Sequence, residues 1–144
     1  MSIPPNFTIV TLGVSDVAAS AEFYRALGWE QRGDESAGIT WFRTSGTWLG
    51  LFGYDDLAAD IGVMAEAPTT YRGITLALNF NSEDEVDEAL SQAVRAGATL
   101  TKPAERAQWG GYSGYFADPD GHLWEAAHAP GFPVSSEGTI DIES

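Results

Sequence analysis

Residues 109–128, WGGYSGYFADPDGHLWEAAH, read as two strands joined by a tight turn. Pro119 presets one backbone φ and Gly121 permits a positive one, so the DPDG at 118–121 supplies the turn. The strand over 121–127 alternates its side chains. Leu123, Glu125 and Ala127 share one face, and His122, Trp124 and Ala126 the other. Trp124 fits a core position against a helix. A carboxylate in so apolar a strand makes Glu125 the first candidate for chemistry.

Upstream, the pattern predicts the rest of one unit. GITLALNF at 73–80 is a strand with Ile74, Leu76, Leu78 and Phe80 on one face and Thr75, Ala77 and Asn79 on the other. Ser82 and Glu85 have capping-box spacing, and Glu83 and Asp84 suit the positive end of a helix. Val86, Leu90, Ala93 and Val94 form its buried stripe, and Gly97 ends it. A strand at 98–102 leads to strands at 108–117 and 121–127.

The first half repeats this order. FTIVTLGV at 7–14 is a strand with Phe7, Ile9, Thr11 and Gly13 on one face. Ser15 and Asp16 cap a helix whose stripe is Val17, Ala21 and Tyr24 with Phe23 and Leu27, and Gly28 ends it. Strands at 29–33, 37–43 and 47–52 follow, the last two joined at Ser45 and Gly46. The order is βαβββ twice, an α+β protein. The modules span 5–53 and 72–133, with a linker at 54–71 carrying a short helix at 57–60. An acidic tail over 134–144 is expected to be loosely ordered or to lie along a partner chain.

Composition narrows the function classes. The chain has 144 residues, 44% hydrophobic and 12% aromatic, enough for a packed interior. With 21 acidic against 7 basic residues the formal charge is −14, which repels nucleic acid, favours solubility and attracts cationic small molecules. No apolar run reaches the roughly 20 residues of a membrane span. MSIPPNFTIV lacks the basic and apolar regions of a signal peptide, so a cytoplasmic protein is expected. Cysteine is absent, which excludes disulfides.

The repeated order, with VSDVAASAEFYRALGW at the front and YFADPDGHLWE at the back, resembles the vicinal oxygen chelate superfamily. Its members include glyoxalase I, extradiol dioxygenases, fosfomycin resistance enzymes and bleomycin-binding proteins. The resemblance implies paired βαβββ modules whose curled mixed sheets make a cup with helices outside, commonly in a homodimer. It also implies a divalent metal held by His, Glu or Gln on four strands. Carried onto this chain, those positions fall at Ile9, Gly50, Thr75 and Glu125, and Glu125 alone matches. Neither His122 nor His128 shares its face. The expectation is therefore no metal and no resident cofactor, although a divalent metal held by other residues is an alternative.

Without a metal the cup becomes an apolar, aromatic pocket lined by Phe7, Ile9, Thr11, Trp41, Trp48, Gly50, Phe52, Thr75, Asn79, Trp109, Tyr115, Leu123 and Glu125. Glycine at 50 lets a flat ligand approach the backbone. Several roles are open to Glu125: a structural group bonded to Tyr or Trp donors, a general acid or base, or the counter-ion of a cationic ligand. The reading is a small-molecule binding protein for a cationic or aromatic ligand, expected to be a homodimer with no nucleic acid or membrane partner. The alternative is a glyoxalase- or dioxygenase-type enzyme using Glu125 as metal ligand or proton-transfer group.

Overall fold

Both halves of the chain build the same four-stranded mixed sheet. A computed structural model describes residues 3–68 and 71–142. Two linker residues, Thr69 and Thr70, and two tail residues, Glu143 and Ser144, lie outside the described residues. The chain divides into two compact units, Met1–Glu66 and Ala67–Ser144.

The first unit contains β1 (Ile9–Val14), α1 (Val17–Ala26), β2 (Gln31–Arg32), a 3-10 turn (Glu35–Ala37), β3 (Ile39–Phe42), β4 (Trp48–Gly53) and α2 (Tyr54–Ile61). Its strands run in the order β1-β4-β3-β2, with β1 parallel to β4 and the other pairs antiparallel. Alternation sends Leu12, Val14, Leu49, Leu51 and Phe42 to the buried side, beneath α1. Tyr24 of that helix meets Phe42 at 5.8 Å between ring centroids and Phe23 at 4.9 Å.

The second unit contains β5 (Leu76–Asn79), α3 (Glu83–Ala96), β6 (Thr99–Arg106), β7 (Tyr112–Ala117) and β8 (Leu123–His128). Its order, β5-β8-β7-β6 with β5 parallel to β8, reproduces that of the first sheet. Val86, Leu90 and Ala93 of α3 pack on the side bearing Phe116, Trp124 and Ala126, where the Phe116 and Trp124 rings stack 6.3 Å apart. Trp124 is thus a core residue.

The helix punctuation is local and follows the sequence closely. Asp16 Oδ1 accepts from the Ala19 N–H at 3.1 Å, and Ser82 Oγ from the Glu85 N–H at 3.2 Å. In the second cap the Ser82 hydroxyl also donates to Glu85 Oε1 at 3.0 Å. Each helix then ends on a glycine with positive φ: Gly28 (88°), Gly62 (87°) and Gly97 (115°). After α1 the Trp29 N–H reaches the Tyr24 carbonyl, and after α3 the Ala98 N–H reaches that of Ala93. These are matching six-to-one closures that satisfy orphan carbonyls.

The structure corrects several expected boundaries. β1 starts at Ile9 rather than Phe7 because its partner β4 starts at Trp48, opposite Ile9. β5 starts at Leu76 rather than Gly73, whose φ of 75° bends the chain before the ladder. β2 is only two residues long, since Trp29 is drawn into the helix closure and Gly33 turns away at φ 84°. A 3-10 turn capped by Asp34 precedes β3 in place of extended chain. β6 runs on to Arg106, past Pro103, as an irregular edge strand with two register shifts, while β7 begins only at Tyr112. The linker helix is longer than the 57–60 stretch and packs on β1 and β4 within the first unit.

Val94 is 46% exposed and so lies outside the buried stripe of α3. The tail is not loose over its described part. Val134 pairs with Ile140 around a turn, and Asn81 accepts from the Val134 N–H and donates to its carbonyl. These bonds tie the tail to the start of α3 within the same unit.

Candidate functional site

Each sheet has one face turned away from its long helix, and these faces carry most of the candidate residues. In the first unit the face is built by Ile9, Thr11 and Gly13 of β1, Trp48, Gly50 and Phe52 of β4, and Ile39 and Trp41 of β3. The register sets Thr11 and Trp41 on either side of Gly50, Ile9 beside Trp48, and Gly13 and Ile39 beside Phe52. A methyl group on Gly50 would stand 3.1 Å from Thr11 Oγ1, 3.3 Å from Trp41 Cδ1 and 3.5 Å from Ile9 Cγ2. Gly50 is itself buried, and Thr11, Trp41 and Ile9 already close in on the space a side chain would take, so its backbone is not left open to a flat ligand as the sequence suggests. Trp41, Trp48 and Phe52 are half-buried around it.

Two groups border that face. The Arg43 guanidinium lies 4.8 Å from the Trp48 ring centroid and is held by Glu30 at 2.9 Å. Cation–π contact of this kind fixes an indole in place. At the other end α2 closes over Gly13, where an added methyl would meet Tyr54 at 3.0 Å and Leu57 at 3.4 Å. Phe7 precedes β1 and is largely exposed, its carbonyl accepting from the Thr47 hydroxyl at 3.1 Å.

In the second unit Leu123, Glu125 and Ala127 of β8 share the face with Tyr115 of β7 and Ala77 and Asn79 of β5. Glu125 sits between Ala77 and Tyr115, and Asn79 lies opposite Ala127. The Tyr115 hydroxyl donates to Glu125 Oε2 at 3.1 Å. Burial pushes the Tyr115 pKa up, and its hydrogen bond to the Glu125 carboxylate and that group's charge add to the rise. The phenol therefore stays protonated near neutral pH and acts as a donor. Glu125 itself is half-buried.

The remaining candidates lie elsewhere. Thr75 is exposed just before β5. Trp109 is 61% exposed in the turn between β6 and β7, with its ring folded over Gly111. His122 Nδ1 accepts from Arg72 at 2.7 Å, and His128 Nδ1 meets the Phe80 carbonyl at 3.0 Å. The Asp118 carboxylate organises the turn by accepting from the Asp120 and His122 N–H groups.

Register sets which residues stand opposite one another, and it brings in Ala77, which the linear pattern passed over. Thr11 and Ala77, rather than Ile9 and Thr75, stand directly opposite Gly50 and Glu125. Arg43 was also missed. Its signal is a basic residue next to the Ser45-Gly46 turn, five positions before Trp48.

Residues 7–126 match the glyoxalase/bleomycin resistance protein/dioxygenase superfamily. The chain belongs to that superfamily. A glyoxalase-related enzyme from Fulvimarina pelagi is 34% identical over 97% of this chain and 99% of its own, with a TM-score of 0.86. A glyoxalase/bleomycin resistance protein/dioxygenase from Nocardioides is 27% identical over 89% of this chain and 85% of its own, with a TM-score of 0.75. An uncharacterized protein of Mycobacterium bovis is 34% identical over 90 residues, 62% of this chain and 56% of that protein. This chain thus spans about half the length of the curated relatives it matches.

The superfamily implies a divalent metal, so the donor set must be compared with that requirement. Such metals need three or four converging N, O or S ligands. Among the described residues no three His, Cys, Asp or Glu side chains converge. Ala77 and Gly50 present no donor side chain at the register positions facing Glu125 and Thr11. The residues do not fit the superfamily's metal centre.

Also among the described residues, no helix is long and apolar enough to cross a membrane.

Proposed function

We propose that this superfamily member binds a small organic molecule and works without a resident metal. The observation that carries this reading is Gly50, where a position that would bear a metal ligand has no side chain and Thr11, Trp41 and Ile9 close over it. A flat ring laid on this face would contact the half-buried Trp41, Trp48 and Phe52, the mix of apolar walls and few polar groups typical of ligand sites. The likeness to a glyoxalase-related enzyme supports the superfamily but names no ligand.

The test is native mass spectrometry of the freshly purified protein, before and after excess Ni²⁺, Zn²⁺ or Fe²⁺, paired with tryptophan quenching by the neutral planar probe 1-naphthol. The expected results are no stoichiometric metal adduct, a dimer, and saturable quenching lost in both Gly50→Leu and Trp41→Leu. A metal adduct lost on Glu125→Gln would overturn the reading and restore a metal-dependent enzyme.

A second reading rests on one contact, the hydrogen bond from Tyr115 to Glu125. It orients the carboxylate as a proton-transfer group would be oriented. In that case Glu125→Gln abolishes turnover while leaving 1-naphthol quenching intact.

A further inference from the structure

The Glu125 carboxylate has lost its metal-ligating company but keeps a defined environment. Ala77 lies across from it on β5, and Leu123 and Ala127 flank it along β8. Tyr115 is its hydrogen-bond partner among the described residues. No cationic side chain among them neutralises it.

All seven Lys and Arg residues of the chain have partners elsewhere. Arg25 pairs with Glu35, Arg32 and Arg43 with Glu30, Arg95 with Glu88, and Arg106 with Glu83. Lys102, opposite Tyr115 in the ladder, turns its ammonium to Glu105 at 3.1 Å. Arg72 donates to His122 and to the Asp120 carbonyl. The two histidines face Arg72 and the Phe80 carbonyl.

We infer that the open face of the second unit takes an organic cation bearing N–H donors, an ammonium or amidinium, with Glu125 as its counter-ion and Tyr115 as the positioning residue. Tyr115 donates to Oε2, and Oε1 is left to accept from the ligand. An amidinium presents parallel N–H groups that match a carboxylate, and charge-assisted bonds of this type are the strong ones. The formal charge of −14 favours approach of a cation and opposes an anion. This inference rests on the binding reading above and adds the charge class of the ligand.

The experiment titrates the full chain with benzamidinium, neutral benzamide and anionic benzoate by calorimetry at low salt, using wild type, Glu125→Gln and Tyr115→Phe. Circular dichroism confirms that each variant is folded. Benzamidinium is expected to bind saturably, with the other two probes about tenfold or more weaker. Glu125→Gln should weaken the cation about tenfold or more and leave benzamide unchanged. Tyr115→Phe should give a smaller loss for benzamidinium alone.

Equal binding of all three probes, unaffected by Glu125→Gln, overturns the inference while the binding reading stands. Absence of benzamidinium binding also overturns it, and the binding reading then depends on the 1-naphthol titration. A Zn²⁺ adduct lost in Glu125→Gln overturns both.

Discussion

Two glycines, one in each sheet, should respond differently to alanine, and the contrast tests the packing directly. Gly114 of β7 faces the core. A methyl there would stand 2.7 Å from Leu90 Cδ1 and 2.9 Å from both the Ala104 nitrogen and the Lys102 oxygen. Leucine can rotate, but the other two atoms belong to the backbone of β6 where its register shifts. They fall about half an ångström short of ordinary contact (2.9 against 3.4 Å), so the strand must move. Overpacking of this kind costs about 1–3 kcal/mol, offset by about 0.4–1 kcal/mol of lost unfolded-state entropy.

Gly114→Ala should therefore destabilise by a net of about 1–2 kcal/mol. At this chain length each kcal/mol is worth roughly 3–4 °C, so Tm should fall by roughly 3–8 °C. Gly50→Ala meets only side-chain atoms, the nearest at 3.1 Å, which can give way. Its stability should stay within about 0.5 kcal/mol of wild type, the entropy term cancelling the small adjustment. Scanning calorimetry and urea denaturation measure both variants. An unchanged Tm for Gly114→Ala, or an equal drop for Gly50→Ala, would refute the packing assigned to these two faces.

Three further outcomes follow from buried polar groups. Ser20 is fully buried in α1 and its hydroxyl has no hydrogen-bond partner among the described residues, so Ser20→Ala should stabilise by about 1 kcal/mol, read from the urea midpoint at constant m. Asp118 is 4% exposed and accepts from two turn N–H groups. Asp118→Ala should cost about 2–4 kcal/mol and Asp118→Asn clearly less, since the amide oxygen still accepts; equal losses in thermal melts would count against the turn's role. Burial and Glu125 raise the Tyr115 pKa in the folded state, so its contribution is complete below the unfolded value of about 10 and lost as pH rises through the folded value. Glu125→Gln should move that tyrosine's ionisation downward in an ultraviolet titration, and an upward shift would contradict the assigned hydrogen bond.

Much of the fold is legible in the sequence, because its signals act over one turn of chain. Asp16 and Ser82 cap their helices through N–H groups three residues away, and Gly28 and Gly97 end them by their own φ. Alternation along β8 likewise separates Glu125 from Trp124 without reference to any neighbour. The DPDG turn closes as its residue types require, with the Gly121 N–H on the Asp118 carbonyl.

Features that depend on distant partners were not legible. Strand ends moved because a ladder begins where its partner begins, as Ile9 does opposite Trp48. Val94 has the spacing of a core residue, but beside the edge strand β6, where it shares a cleft with Leu100 and Pro103, nearly half of it stays exposed. The tail reads as loose and acidic until Asn81, far back in the chain, supplies both a donor and an acceptor for Val134.

The candidate site divides along the same line. Residue type and period alone determined that a carboxylate shares a face with apolar neighbours and that glycine stands at 50, and the family resemblance implied that three of the four metal-ligand positions carry no ligand. Only the tertiary structure decided that Thr11 and Trp41 bracket Gly50, that Arg43 caps Trp48, and that Tyr115 holds Glu125. The physical reason is register. A strand's faces follow from its own alternation, whereas the residue opposite each side chain is set by pairing with a segment that the sequence leaves free to slide.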